Sequence, residues 1–130
     1  MPFDYRRDDE RGIVWTRATK PVGVLDVTEM LDRQLAEGAW KFGMLVDARQ
    51  AILSSTDSKA LLDYVRTLAA QYGPHGPVAL VTRDGVGSAQ AYAMRSEFAG
   101  LSFEVFWDVD EAERWLVSTS PSYRRAILAI

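Results

Sequence analysis

A run of small polar residues, Ser54-Ser55-Thr56-Asp57-Ser58, carries most of the chemistry this chain offers. It follows an apolar stretch ending in an acid, Met44-Leu45-Val46-Asp47, and a hydrophobic connection, Ala51-Ile52-Leu53. It precedes a segment of strong helical periodicity. Hydroxyls and carboxylates at a helix start accept hydrogen bonds from N–H groups that lack intrahelical partners. Ser54 with Asp57, and Ser55 with Ser58, have the spacing at which the first member caps a helix. One cap uses one Ser, and the remaining hydroxyls also suit a regulatory or anion-binding role. A phosphoryl group placed there would meet the positive end of the helix dipole. Both readings stand.

A second turn, Gly85-Val86-Gly87-Ser88, lies where another apolar run gives way to a helix. Its amides can hold a phosphate or carboxylate. It lacks the third Gly of the dinucleotide fingerprint and the Lys of a P-loop, so a tight turn with Ser88 near the helix start is the simpler reading. Asp47, Arg49, Arg83, Asp84 and Asp108 should emerge at the carboxyl edge of parallel strands, where α/β proteins gather ligands. The only His, His75, sits in the turn Gly73-Pro74-His75-Gly76-Pro77 and is expected to be solvated. Without Cys or a metal motif, no nucleophile–base pair can be named. The expectation is therefore no catalytic residue, no metal and no cofactor, with acids and arginines pairing among themselves.

Composition narrows the class. The 130 residues are 48% hydrophobic and 25% charged, with a net charge of −3. That is ordinary for one globular domain and leaves no basic stripe for nucleic acid. No apolar run approaches the roughly 18 residues that span a bilayer, and no signal-peptide pattern opens the sequence. No membrane association and a cytoplasmic location are the expectations, and the absence of Cys fits a reducing compartment.

Phe3–Arg7 and Gly12–Ala18 read as two strands around a charged turn, with Gly12 at a positive φ and Tyr5 paired across to Trp15. Lys20–Leu25 is a connection. Asp26 then caps a first helix, with Glu29 completing the capping box and Val27, Met30, Leu31 and Leu35 inward. Gly38 stops that helix, and Trp40 and Phe42 lead as core anchors into the third strand. The second helix carries the stripe Leu61, Leu62, Val65, Leu68, Ala69 and Tyr72, and ends at Gly73-Pro74. Val78–Thr82 is a central strand. A third helix follows with Ala91, Met94 and Phe98 inward, stopped by Gly100. Phe103–Trp107 is the last strand, and Asp110 caps a fourth helix with Ala112, Trp115 and Leu116 inward. The fold class is α/β: a single mixed sheet, with an N-terminal antiparallel hairpin plus parallel strands, and about four helices. Residues 1–120 form the domain. Residues 121–130 are a C-terminal apolar extension, expected to dock on the domain or on a second copy as a homodimer.

This order, with Met44-Leu45-Val46-Asp47, the hydroxyl-rich turn and Phe106-Trp107-Asp108-Val109-Asp110-Glu111-Ala112, resembles the STAS domain of bacterial anti-sigma-factor antagonists and their SpoIIAA-like relatives. The resemblance covers residues 2–117. It implies a non-catalytic protein-interaction and regulatory domain with a protein partner, gated by phosphorylation of a Ser or Thr in an Asp-Ser-x-Gly-like turn. Asp57-Ser58 matches the Asp-Ser pair, though Lys59-Ala60 follow where the family brings a Gly. A shifted register places Ser55 or Thr56 there instead. Other SpoIIAA-like domains, and larger lipid-transfer domains of the same topology, bind apolar ligands. A module holding a small apolar or anionic ligand is thus the alternative.

Overall fold

The computed structural model describes residues 3–19, 21–53, 58–83 and 101–119. Gly12, at φ 66°, closes the first turn and donates its N–H to Asp8 O at 2.9 Å. The flanking strands β1 (Phe3–Asp8) and β2 (Ile13–Ala18) pair antiparallel. Their register sets Arg6 opposite Trp15 and Tyr5 opposite Thr16, so the expected Tyr5–Trp15 pair does not form. Side chains alternate along a strand, and Tyr5 and Trp15 therefore point to opposite faces. Arg6 lays its guanidinium over the Trp15 ring, 5.3 Å from the centroid.

A two-residue strand, β3 (Pro21–Val22), precedes α1 (Val24–Ala36). The helix begins earlier than its sequence predicts. Gly23 is the N-cap, and Asp26, expected there, sits in the first turn and accepts the Gly23 N–H at 3.0 Å. Gly38, at φ 74°, ends the helix as expected. Arg7 from the hairpin donates to Glu37 O at 2.9 Å, satisfying a carbonyl that the helix end leaves open.

Then come β4 (Gly43–Asp47), β5 (Ile52–Leu53), α2 (Ser58–Tyr72), β6 (Val78–Val81), β7 (Phe103–Phe106) and α3 (Val109–Thr119). The main sheet runs β1-β2-β4-β6-β7, and every pair after the hairpin is parallel. The Ile52–Leu53 stretch, expected as plain connection, pairs with β3 in a separate two-stranded ladder. Strands β4 and β6 are continuously apolar because both of their faces are covered. On one face Val14, Ala18 and Met44 pack against Met30 and Leu31 of α1, Trp40, and Val65 of α2. On the other, Ile13, Leu45, Ala79 and Val81 pack against Ala112 and Leu116 of α3.

Two helix details differ from expectation. Tyr72, assigned to the buried stripe of α2, is 45% exposed, because it is the last helical residue and Gly73 (φ 89°) turns the chain away. The cap of α3 is Asp108 rather than Asp110, with the Asp110 N–H donating to the Asp108 carboxylate at 2.7 Å. Glu113 bonds Arg11 of the hairpin turn instead of closing a capping box. Three helices lie among the described residues. The helix expected around Ala91 to Phe98 and the extension 121–130 fall outside them. No described helix is long and apolar enough to cross a membrane.

Candidate functional site

Helix α3 lies mainly over β4, β6 and β7. The β1–β2 half of the same face is left open, forming a groove of about 720 Å³ beside the start of α3. Trp15 and Leu45 line it, Arg6 and Arg17 come from the hairpin, and Trp107, Asp108 and Asp110 come from the approach to α3. At its end stand Asp47 and Arg49, where β4 finishes.

Asp47 is held from three directions. Arg49 Nε donates to Asp47 Oδ1 at 2.9 Å, Arg49 Nη2 to Oδ2 at 2.8 Å, and the Arg49 backbone N–H to Oδ1 at 3.2 Å. Arg17 adds an ion pair at 3.6 Å. The Asp47 side chain is only 11% exposed. The Arg49 hydrogen bonds, outweighing desolvation, hold its carboxyl below the usual carboxylate range. An acid so placed stays ionised and paired near neutrality, and is a poor proton acceptor.

The sign of this shift fixes its pH dependence. A carboxyl whose folded pKa lies below its unfolded value stabilises the fold above the unfolded value, near 3.9, and loses that contribution as pH falls through the folded one. Asp47→Asn is therefore expected to cost about 1.5–3 kcal/mol at pH 7, the range for hydrogen bonds to charged groups. The gap to wild type should narrow below about pH 4, where the carboxyl protonates first in the unfolded chain, and close as pH falls through the lower folded value. Urea titrations at pH 7 and pH 3 measure both numbers, and a constant gap would refute the assignment.

The other residues singled out from sequence divide by position. Asp47 and Arg49 do pair, as expected. Arg83 is exposed just past β6, after buried Thr82. Ser58 is the first described residue of α2. Ser55, Thr56, Asp57, Asp84, Gly87 and Ser88 lie outside the described residues. His75 is not the solvated residue expected. Its Nε2 meets Gln34 Oε1 at 2.8 Å, its Nδ1 meets Gly76 O at 2.7 Å, and its ring stands edge-on to Trp40 at 4.6 Å. Burial pushes the imidazole below its usual pKa, toward the neutral form. Among the described residues no group of acids and histidines is arranged to hold a metal ion.

Sequence reading missed Arg6, Arg17 and Trp107 as groove residues. The signal was present: Arg17 lies two after Trp15 in a strand, hence on the same face. Trp107 falls between a strand end and a cap, where a side chain has no covering element, and it is 56% exposed.

No protein-family model and no curated protein matches the chain. Among solved structures it is similar to an uncharacterized protein of the DUF3478 family with a SpoIIAA-like fold from Shewanella loihica PV-4. The TM-score is 0.57 at 20% identity, covering 88% of this chain and 91% of that chain. The fold is SpoIIAA-like. A SpoIIAA-like sheet, with its hairpin first and its parallel strands after, puts the ends of β4 and β6 at one edge. Asp47 and Arg49 at the end of β4 and Arg83 just past β6 accordingly share that edge.

Proposed function

We propose that this chain is a cytoplasmic, non-catalytic protein-interaction domain that engages its partner at the carboxyl edge of the parallel strands. The observation that carries this reading is Trp107, 56% exposed at the rim of a groove that also holds Trp15, Arg6, Arg17 and Arg49. Trp and Arg dominate the binding energy of protein interfaces, since both bury large areas in few fixed conformations. The ionic end of the groove is already organised, because Asp47 fixes Arg49 through two hydrogen bonds. A preset guanidinium loses less entropy on docking. The paired state of Asp47 supports a binding role over acid–base chemistry.

Gating fits the same edge. Ser58 is the first described residue of α2, so a phosphoryl group there would sit by the positive end of the helix dipole. It would add about −1.5 to −2 charges to the partner-facing edge without requiring the helix to unfold.

The test uses the full chain. A partner is first identified by crosslinking in cells, and its affinity is then measured for wild type, Trp107→Ala and Ser58→Glu. Trp107→Ala should weaken binding about 30-fold, the effect of losing a hot-spot side chain worth about 2 kcal/mol. Ser58→Glu should weaken or redirect binding while the circular dichroism spectrum is unchanged. Sedimentation velocity separates a foreign partner from a second copy of this chain. Equal affinities for all three proteins would sink the reading.

A further inference from the structure

The face opposite the groove holds a feature that the interaction reading does not use. Between the sheet and helices α1 and α2 lies a cavity of about 120 Å³. The described residues lining it are almost all apolar, among them Phe3, Met30, Met44, Val65, Leu80 and Phe103. Its lining also includes exposed Ser102 and half-buried His75 and Leu101, so it approaches the surface where β6 and β7 begin.

We infer that this cavity is a binding site for one small, uncharged apolar molecule, of the size of a single six-membered ring or a short hydrocarbon chain. Three observations set that chemistry. The first is size: pockets for drug-sized ligands run from about 300 Å³, whereas an apolar cavity of about 150 Å³ takes benzene or xenon. A full lipid does not fit.

The second is polarity. A buried water needs about two to four polar partners, and the described lining offers few beyond exposed Ser102, Gly76 and His75. The His75 ring nitrogens lie against Gly76 O at 2.7 Å and Gln34 Oε1 at 2.8 Å, and the neutral ring donates its one N–H to one of these oxygens. The Gly76 N–H is donated to Trp40 O at 3.1 Å, and the Gln34 amide to Ala39 O at 2.8 Å. Water would find few partners there, and the cavity favours an apolar occupant.

The third is charge. His75 is the only titratable residue among the described lining, which includes no Lys or Arg. A carboxylate or phosphate drawn inside would lose its water without gaining a counter-ion. The occupant is therefore neutral.

The experiment measures melting of the full-length wild-type chain with benzene, with hexanoate, and with neither, together with methyl NMR spectra under xenon pressure. Benzene at tenfold excess over its Kd should raise the melting temperature by about 3–6 °C, by mass action on the native state. Hexanoate should leave it unmoved. Xenon should shift the methyl resonances of Met30, Met44, Val65 and Leu80 and spare those of Leu116 and Val117 under α3. Val65→Phe, which fills the space, should abolish both responses. If that variant fails to fold, the wild-type spectra decide alone. An absent benzene shift with unmoved methyls overturns the site, and an equal hexanoate shift overturns the neutral-ligand assignment. Neither result bears on partner binding at Trp107, so the two readings fail separately.

Discussion

Gly76→Ala is expected to lower the melting temperature by about 10 °C or more, or to prevent folding, the outcome of a backbone clash worth several kcal/mol. A Cβ added at Gly76 would stand 2.1 Å from Phe42 O and 2.5 Å from Lys41 O. Both obstacles are backbone, and no side-chain rotation relieves them. Neither segment is free to retreat. The Gly76 N–H is bonded to Trp40 O at 3.1 Å, and the Met44 N–H to Pro77 O at 2.8 Å. The Trp40 indole N–H is donated to Gly73 O at 2.8 Å. Moving the 73–77 turn outward would break these bonds and uncover His75 and Trp40 together. Gly38→Ala is the matched control. Gly38 has a positive φ of 74°, but a Cβ there meets nothing within 4 Å. Its cost should be only the left-handed penalty of about 1–2 kcal/mol. Thermal denaturation followed by circular dichroism ranks the two, and a Gly76→Ala protein as stable as Gly38→Ala would contradict the close approach.

Leu116→Ala should cost about 2–5 kcal/mol, the range for truncating a fully buried Leu. Leu116 is 0% exposed and packs in the same cluster as Ile13, Leu45, Ala79 and Val81. Helix α3 is the described helix on that face, so the cavity left behind has little freedom to collapse by helix rearrangement. The loss is measured as a shift in the urea midpoint at unchanged slope. Trp115, whose ring lies 5.7 Å from that of Phe106, reports the same event by fluorescence. Loosening α3 should also loosen Asp108 and Trp107, which lead into it. Partner affinity should then fall in Leu116→Ala even though Leu116 does not line the groove.

Much of the architecture was legible in local patterns. The alternation in Ile13-Val14-Trp15-Thr16, the stripes of Met30-Leu31 and Leu62-Val65, and the stops at Gly38 and Gly73 each depend on a few neighbouring residues. Chain geometry converts such spacings directly into faces and ends. The caps were less legible. Asp26 and Asp110 both have cap chemistry, yet Gly23 and Asp108 hold the positions. When two candidates stand two or three residues apart, the direction in which the chain arrives from its previous strand selects between them. That direction is not a local property.

Local patterns alone point to an α/β chain with its hairpin first, to the apolar strands β4 and β6, and to a helix beginning around the hydroxyl cluster Ser54–Ser58. They also point to acids and arginines pairing at the strand ends, and Asp47 with Arg49, only two residues apart, is a pair that forms. The remaining features depend on how distant elements pack. Register turned Trp15 away from Tyr5 and under Arg6. Packing took His75 out of water and gave it Gln34, a partner 41 positions away. The placement of α3 over β4, β6 and β7 left the hairpin half of the sheet open. Trp107 is exposed at that opening, so a residue with the composition of core became part of a surface. The physical reason is common to all three. A residue's spacing says which way its side chain points, whereas what it points at depends on elements brought alongside from elsewhere in the chain.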